Sequence, residues 1–195
     1  MKEVLPKVPK RPLFWSDIVL DLCDLLADDD IPLYIVGGAV RDAYLHHPIN
    51  DLDLTTPQDA IRLGRRIANL LGGDFYVLDE ARDVARILLD TPREGRVVID
   101  IARFRGDSLL ADLKDRDFTI NAMAVDLKAD VSLLLDPLNG ESDLIKRIVR
   151  RCSDRSIADD PVRALRAIRQ SVQFTCRIEP ATMKDMQEIN DALLS

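Results

Sequence analysis

The run Tyr34–Thr56, YIVGGAVRDAYLHHPINDLDLTT, constrains this chain more than any other stretch. It reads as a short apolar strand, a Gly-Gly turn, a short helix, and a second short strand carrying Asp51 and Asp53. Gly37 and Gly38 remove side chains where a backbone can approach a phosphate closely. The helix that follows aims its unpaired N–H groups at the same place. Asp51 and Asp53 are separated by one residue, so on a strand both carboxylates project from one face. Two hard oxygen donors beside a phosphate-binding turn make a candidate site for Mg2+ and a nucleoside triphosphate. Alone, Gly-Gly after a strand is a tight turn and Asp-x-Asp a solvated strand end; the weight lies in their combination and order.

The rest of the composition sets bounds. At 195 residues and 47% hydrophobic, the chain can bury a sizeable core, as one domain or one domain plus part of a second. A net charge of −7 argues against nonspecific nucleic-acid binding over the whole surface, though not against a local basic patch. Cys23, Cys152 and Cys176 are widely spaced, and His46 and His47 have no partner at zinc-like spacing, so reduced thiols in a cytoplasmic protein are expected. No apolar run approaches the roughly 20 residues of a membrane span, so no membrane partner is expected. Residues 1–12, with four Lys or Arg among three prolines, read as a flexible tail and not as a secretory signal.

Along the chain, Ser16 is placed to cap a helix running to about Ala27. Pro57 is placed to open a second helix, which Gly72-Gly73 stops. Three strands are predicted at Phe75–Leu78, Val84–Leu89 and Arg96–Phe104, the last two joined by a Pro- and Gly-containing turn. Asp100 interrupts an otherwise apolar strand. A buried, unpaired carboxylate is costly, so Asp100 should face a metal, a cation or the sheet edge. A third carboxylate of the metal site and a structural salt bridge are both open readings.

The segment Asp112–Asp126 puts Arg116, Asp117, Thr119 and Asn121 next to an apolar helix, with Asp117 or Thr119 as its cap. Between Leu144 and Arg177 there are nine Lys or Arg and only three acids, a basic patch hidden by the acidic average. Arg163, Arg166 and Arg169 recur along one side of a helix opened by Asp159-Asp160-Pro161. A solvated cationic face would explain them. So would recognition of hydrogen-bonding edges and phosphates. The last helix, from Pro180, carries Met183, Met186, Ile189 and Leu193, which the chain itself is expected to bury only incompletely.

Four motifs occur in order: Gly37-Gly38-Ala39-Val40-Arg41-Asp42, Asp51-Leu52-Asp53, Arg116-Asp117-Phe118-Thr119-Ile120-Asn121-Ala122, and Asp160-Pro161-Val162-Arg163-Ala164-Leu165-Arg166. Together they resemble the class II tRNA nucleotidyltransferase and poly(A) polymerase family, which includes the CCA-adding enzymes. The resemblance implies an α+β fold: a nucleotidyltransferase head with a small mixed β-sheet flanked by helices, then the start of an α-helical neck. Residues 13–142 would be the head and residues 143–195 the start of the neck. Asp51 and Asp53 would bind catalytic Mg2+, with Asp100 as the candidate third carboxylate. Gly37, Gly38, Arg41, Arg116 and Asn121 would surround the incoming nucleotide. Asp160 and Arg163 would read the base edge, and Arg166 and Arg169 would complete the pocket.

The implied activity is transfer of CMP or AMP from CTP or ATP to the 3′ end of tRNA. Poly(A) polymerase is an alternative within the family, and a non-catalytic nucleotide- or RNA-binding module is an alternative of another class. Two departures stand out. Asp159-Asp160 replaces the family's usual Glu-Asp, and the segment between Asp100 and Arg116 is short where the family carries a loop that helps switch specificity from C to A. Family members also continue well past the neck. An apolar last helix therefore leaves room for self-association or a partner chain.

Overall fold

A computed structural model describes residues 4–194, with only the helical backbone described over 190–194. The elements follow in order. They begin with β1 (Pro6–Lys7), α1 (Asp17–Leu25), β2 (Tyr34–Val36), α2 (Gly38–Leu45), β3 (Asp51–Thr56) and α3 (Ala60–Leu71). Next come β4 (Asp74–Asp79), β5 (Val84–Thr91), β6 (Gly95–Arg103), α4 (Leu109–Lys114), a 3-10 turn (Thr119–Asn121), β7 (Ala124–Asp126) and β8 (Leu134–Leu135). The chain ends with α5 (Gly140–Lys146), β9 (Ile148–Val149), α6 (Ser156–Asp159), α7 (Val162–Gln173), β10 (Arg177–Ile178) and α8 (Pro180–Leu194).

Eight strands form one mixed sheet in the order β1-β8-β7-β2-β3-β6-β5-β4, and β9 and β10 form a short parallel pair. Within the large sheet only β3 and β6 are parallel, which sets Asp53 directly beside Asp100. Alternation along the strands decides which face is buried. In β6, Val97, Ile99 and Ile101 are buried while Val98, Asp100 and Ala102 face the other way. The buried set packs under α1, α2 and α3 with Leu22, Val40 and Ile67 in one core. Gly64 lets α3 come close: a Cβ there would lie 2.8 Å from Ile101 Cγ2 and 3.2 Å from Ala85 Cβ.

The opposite face is divided. Its β2–β7–β8 half is covered by a second cluster of Val36, Leu113, Ala122, Ala124 and Leu135, which docks α4 on the sheet. The β3–β6–β5–β4 half carries the acidic residues and stays open. No described helix is long and apolar enough to cross a membrane.

Several local expectations change. The N-terminal segment is not a loose tail where it is described: β1 adds an antiparallel edge strand to β8, and Lys7 Nζ bridges Asp136 (2.8 Å) and Glu141 (3.1 Å). The helix expected at Pro57 starts at Ala60. Asp59 caps Arg62 N, and the Asp83 carboxylate from the β4–β5 turn holds the N–H groups of Ala60 and Ile61. Ser16 sits at the α1 N-cap but its hydroxyl makes no cap bond.

The apolar segment after Asn121 is a strand, not a helix. Ala124–Asp126 pairs with β2 and β8 in the sheet, where ladder hydrogen bonds outweigh helix propensity. Helix α5 runs across residue 142, so the expected head–neck boundary falls inside a helix. Met186 and Ile189 pack back on the core and Met183 is exposed; the Leu193 side chain lies outside the described residues.

Candidate active site

The β2–α2 turn brings the first motif against the second. Gly37 has φ +74°, and a Cβ there would lie 3.0 Å from Asp53 Oδ2 and 3.2 Å from Arg116 Nη1. Both the backbone conformation and the space require glycine. Gly37, Asp53 and Arg116, far apart in sequence, therefore meet at the N-terminus of α2.

Asp51 and Asp53 share the open face of β3, with Asp100 alongside on β6. Burial pushes the Asp53 carboxyl above its ordinary range; the Arg116 guanidinium pulls it back, while Asp100 and Asp51 push it further up. Asp100 is held by Arg86, with Nε and Nη2 each 2.8 Å from a carboxylate oxygen. Its salt bridge and its place beside Asp53 thus coexist. Among the described residues no three acidic, His or Cys side chains converge as a complete ligand set. Asp53 accepts no hydrogen bond among the described residues and lies beside two other acids. With Asp100 paired to Arg86, the hard oxygens of Asp53 and Asp51 fit a divalent cation held by one or two carboxylates and completed by substrate phosphates.

Arg116 is fixed from behind. Its Nε and Nη2 donate to Asp112 Oδ2 at 3.2 and 2.9 Å, and Asp112 is buried. That leaves Nη1 beside Gly37 and Asp53. Asp112 also accepts from Arg105 N, tying the β6–α4 connection to the same carboxylate.

A second network joins the head to α7. Asp117 is buried and accepts from Phe118 N (2.7 Å), Asn121 Nδ2 (3.0 Å) and Arg166 Nη2 (2.7 Å). Burial alone would raise its carboxyl; the hydrogen bonds from Asn121, Arg166 and Phe118 N hold it below the ordinary carboxylate value. Gln170, 1% exposed, accepts from Asn121 Nδ2 at 3.0 Å and donates to Asp117 Oδ2 at 3.4 Å. Asn121 Oδ1 accepts from Arg41 Nη1 at 2.6 Å. The Arg41 guanidinium also pairs with Asp42 and lies 4.3 Å from the Phe174 ring centre. An unbroken chain of contacts runs from α2 through the 3-10 turn to α7.

Between the sheet and the start of α7 lies a cleft of ≈ 1210 Å³, whose walls include Asp53, Asp100, Arg116, Asp160, Arg163 and Arg166. Asp160 Oδ1 caps Val162 N at 3.1 Å. Arg163 is largely buried, and its terminal nitrogens donate to the carbonyls of Asp115, Arg116 and Ser156. It braces the wall more than it projects into the cleft. Arg166 stands half-exposed with Nε and Nη2 on Asp117. Arg169 is exposed further along α7. Arg41 and Asn121 are buried behind the wall, where they hold its parts together.

Sequence reading singled out none of Arg86, Asp112, Gln170 or Phe174. For Gln170 a signal existed: it lies two helical turns beyond Arg163, on the buried side of α7. For Arg86, opposite Asp100 in the β5–β6 hairpin, the signal was cross-strand pairing.

A mixed sheet with a glycine turn facing paired aspartates, and a helix closing the far side, defines a nucleotidyltransferase head. Residues 33–150 match the poly A polymerase head domain, and the chain belongs to that family, the class II family of CCA-adding tRNA nucleotidyltransferases and poly(A) polymerases. It is 43% identical over 150 residues to the CC-adding tRNA nucleotidyltransferase of Geobacter sulfurreducens, covering 77% of this chain and 34% of that protein. It is 33% identical to the A-adding tRNA nucleotidyltransferase of Halalkalibacterium halodurans, covering 77% of this chain and 38% of that protein. Among solved structures, the Thermotoga maritima CCA-adding enzyme complexed with tRNA superposes with a TM-score of 0.77 at 34% identity, over 89% of this chain and 42% of that one. The chain spans little more than a third of the length of these curated relatives.

Proposed function

We propose that this chain is the catalytic head of a Mg2+-dependent tRNA nucleotidyltransferase that adds CMP from CTP to the tRNA 3′ end. The observation that carries the reading is the meeting of Gly37, Asp53 and Arg116 across one cleft from Asp160 and Arg166. The N–H groups at the start of α2 and the Arg116 guanidinium would receive the triphosphate, placing the α-phosphorus over Asp53. Asp51 and Asp53 would hold Mg2+, which when bound supplies charge neutralisation for the triphosphate and the departing pyrophosphate. Asp160 and Arg166 offer an acceptor and a donor to a base edge, a pairing suited to an amino group beside ring acceptors. Asp117 would keep Arg166 in place through the contacts described above, and Arg163 Nε, 3.5 Å from Asp160 Oδ2, would steady Asp160.

The C step is favoured over the A step by the β6–α4 connection. It is confined to residues 104–108 and anchored by Arg105 N on Asp112, leaving little chain to reshape the pocket for a second base. Three free cysteines suit the reducing cytoplasm.

The test supplies Mg2+ with labelled CTP or ATP to tRNA transcripts ending before CCA, after C and after CC. CMP incorporation into the first two is expected. AMP on the last alone would move the assignment to the A step, and long A tails would move it to poly(A) synthesis. No incorporation of either nucleotide, with CTP binding retained, would overturn the catalytic reading in favour of a binding module.

A further inference from the structure

The open row of acids is not evenly matched in charge. Strand register sets Asp53 beside Asp100 and Asp100 opposite Arg86. Direct cross-strand partners share a face, so these three side chains stand on the open side. Asp51, two residues before Asp53 on β3, stands there too. Arg86 Nε lies 2.8 Å from one Asp100 oxygen and Arg86 Nη2 lies 2.8 Å from the other. This fork-on-fork contact is one that a lysine does not reproduce. Arg116, which flanks Asp53, is itself paired with Asp112. Asp51 and Asp53 therefore keep their oxygens for a ligand, while Asp100 has already given both of its oxygens away.

Three carboxylates side by side have the makings of more than one cation site. Neighbouring strands run about 4.8 Å apart, and two divalent cations that share carboxylates sit about 4 Å apart. Asp53, between Asp51 and Asp100, is placed to bridge such a pair. Yet among the described residues the three acids do not converge, because Asp100 turns its oxygens to β5. Arg86 thus holds the ligand that a second cation would need. Its guanidinium is kept protonated above its ordinary range by the bond to Asp100 first, and further by the charges of Asp51 and Asp53. It responds to the whole row and not to Asp100 alone.

We propose that Arg86 is a positioning residue that serves as the resident counter-ion of Asp100 and limits the nucleotide-free head to one divalent cation, a proposal that rests on the assignment of that cation to Asp51 and Asp53. The guanidinium cancels one of the three negative charges without adding a metal centre. It also lowers the repulsion that an incoming triphosphate would meet at the row. The pair is not locked in: the Arg86 and Asp100 side chains are 41% and 29% exposed, and an ion pair so open to water is weakly held. Asp100 is therefore a carboxylate in reserve. Outer partners of metal ligands tune cation affinity by about 10- to 100-fold, and Arg86 does so here by withholding a ligand.

The test is a titration of the nucleotide-free protein with Mn2+, a spectroscopic stand-in for Mg2+, with free ion read by electron paramagnetic resonance. The native protein should bind one Mn2+. Arg86→Gln, which keeps a hydrogen-bonding side chain but no charge, should bind Mn2+ about tenfold more tightly and take up a second ion. Arg86→Lys, which keeps the charge, should stay within about twofold of native affinity. The double variant Arg86→Gln with Asp100→Asn should return to native behaviour, since the gain runs through Asp100. A gain that survives in the double variant overturns the proposal. So does weaker binding by Arg86→Gln, the result a merely structural role would give. Equal binding by the native protein and Arg86→Gln overturns the proposal alone and leaves the cation on Asp51 and Asp53. Binding by neither overturns the proposal and that cation assignment together.

Discussion

At the scale of single residues, the site works by holding a few side chains against their own preferences. Asp53 is the clearest case. Burial and two neighbouring acids raise its folded-state carboxyl above the unfolded value. The folded protein then binds more protons than the unfolded chain at pH values between the two, so without a bound cation stability falls as pH rises through that window. Asp53→Asn removes the penalty: thermal unfolding at pH 7 without divalent cation should show a higher Tm than the native protein, and CMP incorporation should vanish. A lower Tm would mean that Asp53 is a structural acid.

Gln170 is the opposite case, a buried polar group whose hydrogen bonds are made inside the protein. Gln170→Leu leaves the Asn121 amide and the Asp117 carboxylate each short of a partner and should cost about 1–3 kcal/mol in denaturant unfolding. Because Asp117 orients Arg166, the same variant should raise KM for CTP more than it lowers kcat. An effect on stability with unchanged kinetics would reduce Gln170 to packing.

At the scale of elements, one face of the sheet is packed and half of the other carries the open row of acids, and the alternation of β6 serves both. Gly64 shows how tightly the packed face is set. Gly64→Val adds helix propensity on α3 but forces a branched side chain against Ile101 and Ala85. Overpacking should win, destabilising by about 1–3 kcal/mol by chemical denaturation while leaving CTP binding in place. Equal or greater stability would show that α3 can slide on the sheet.

The elements were legible where local pattern and tertiary use agreed. The Gly37-Gly38 turn, the β3 carboxylates, the β5–β6 hairpin and α7 could all be read from spacing. Ala124–Asp126 could not, because its apolar residues fit a helix equally well and only pairing with β2 and β8 made them a strand. The start of α3 was hidden for a similar reason: its cap comes from Asp83, a side chain beyond the helix itself. The direction of an arginine is harder still to read. Arg163, Arg166 and Arg169 look alike in sequence, yet Arg163 is spent on backbone carbonyls, Arg166 on Asp117, and Arg169 faces solvent.

At the scale of the molecule, the two halves of the site come from opposite ends of the chain and are joined by buried polar contacts. Arg41 on α2 is stacked on Phe174 at the end of α7, while Asn121 and Gln170 close the gap between them. The motif beginning at Gly37 and the helix carrying Arg166 are therefore parts of one body, and the nucleotide should span them. The most direct check is a crystal structure of the chain with a non-hydrolysable CTP analogue and Mg2+. The phosphates should lie at Gly37, the start of α2 and Arg116, with the metal on Asp51 and Asp53 and the cytosine facing Asp160 and Arg166. A nucleotide bound elsewhere, or one whose phosphates avoid the Gly37–Asp53–Arg116 corner, would contradict the account.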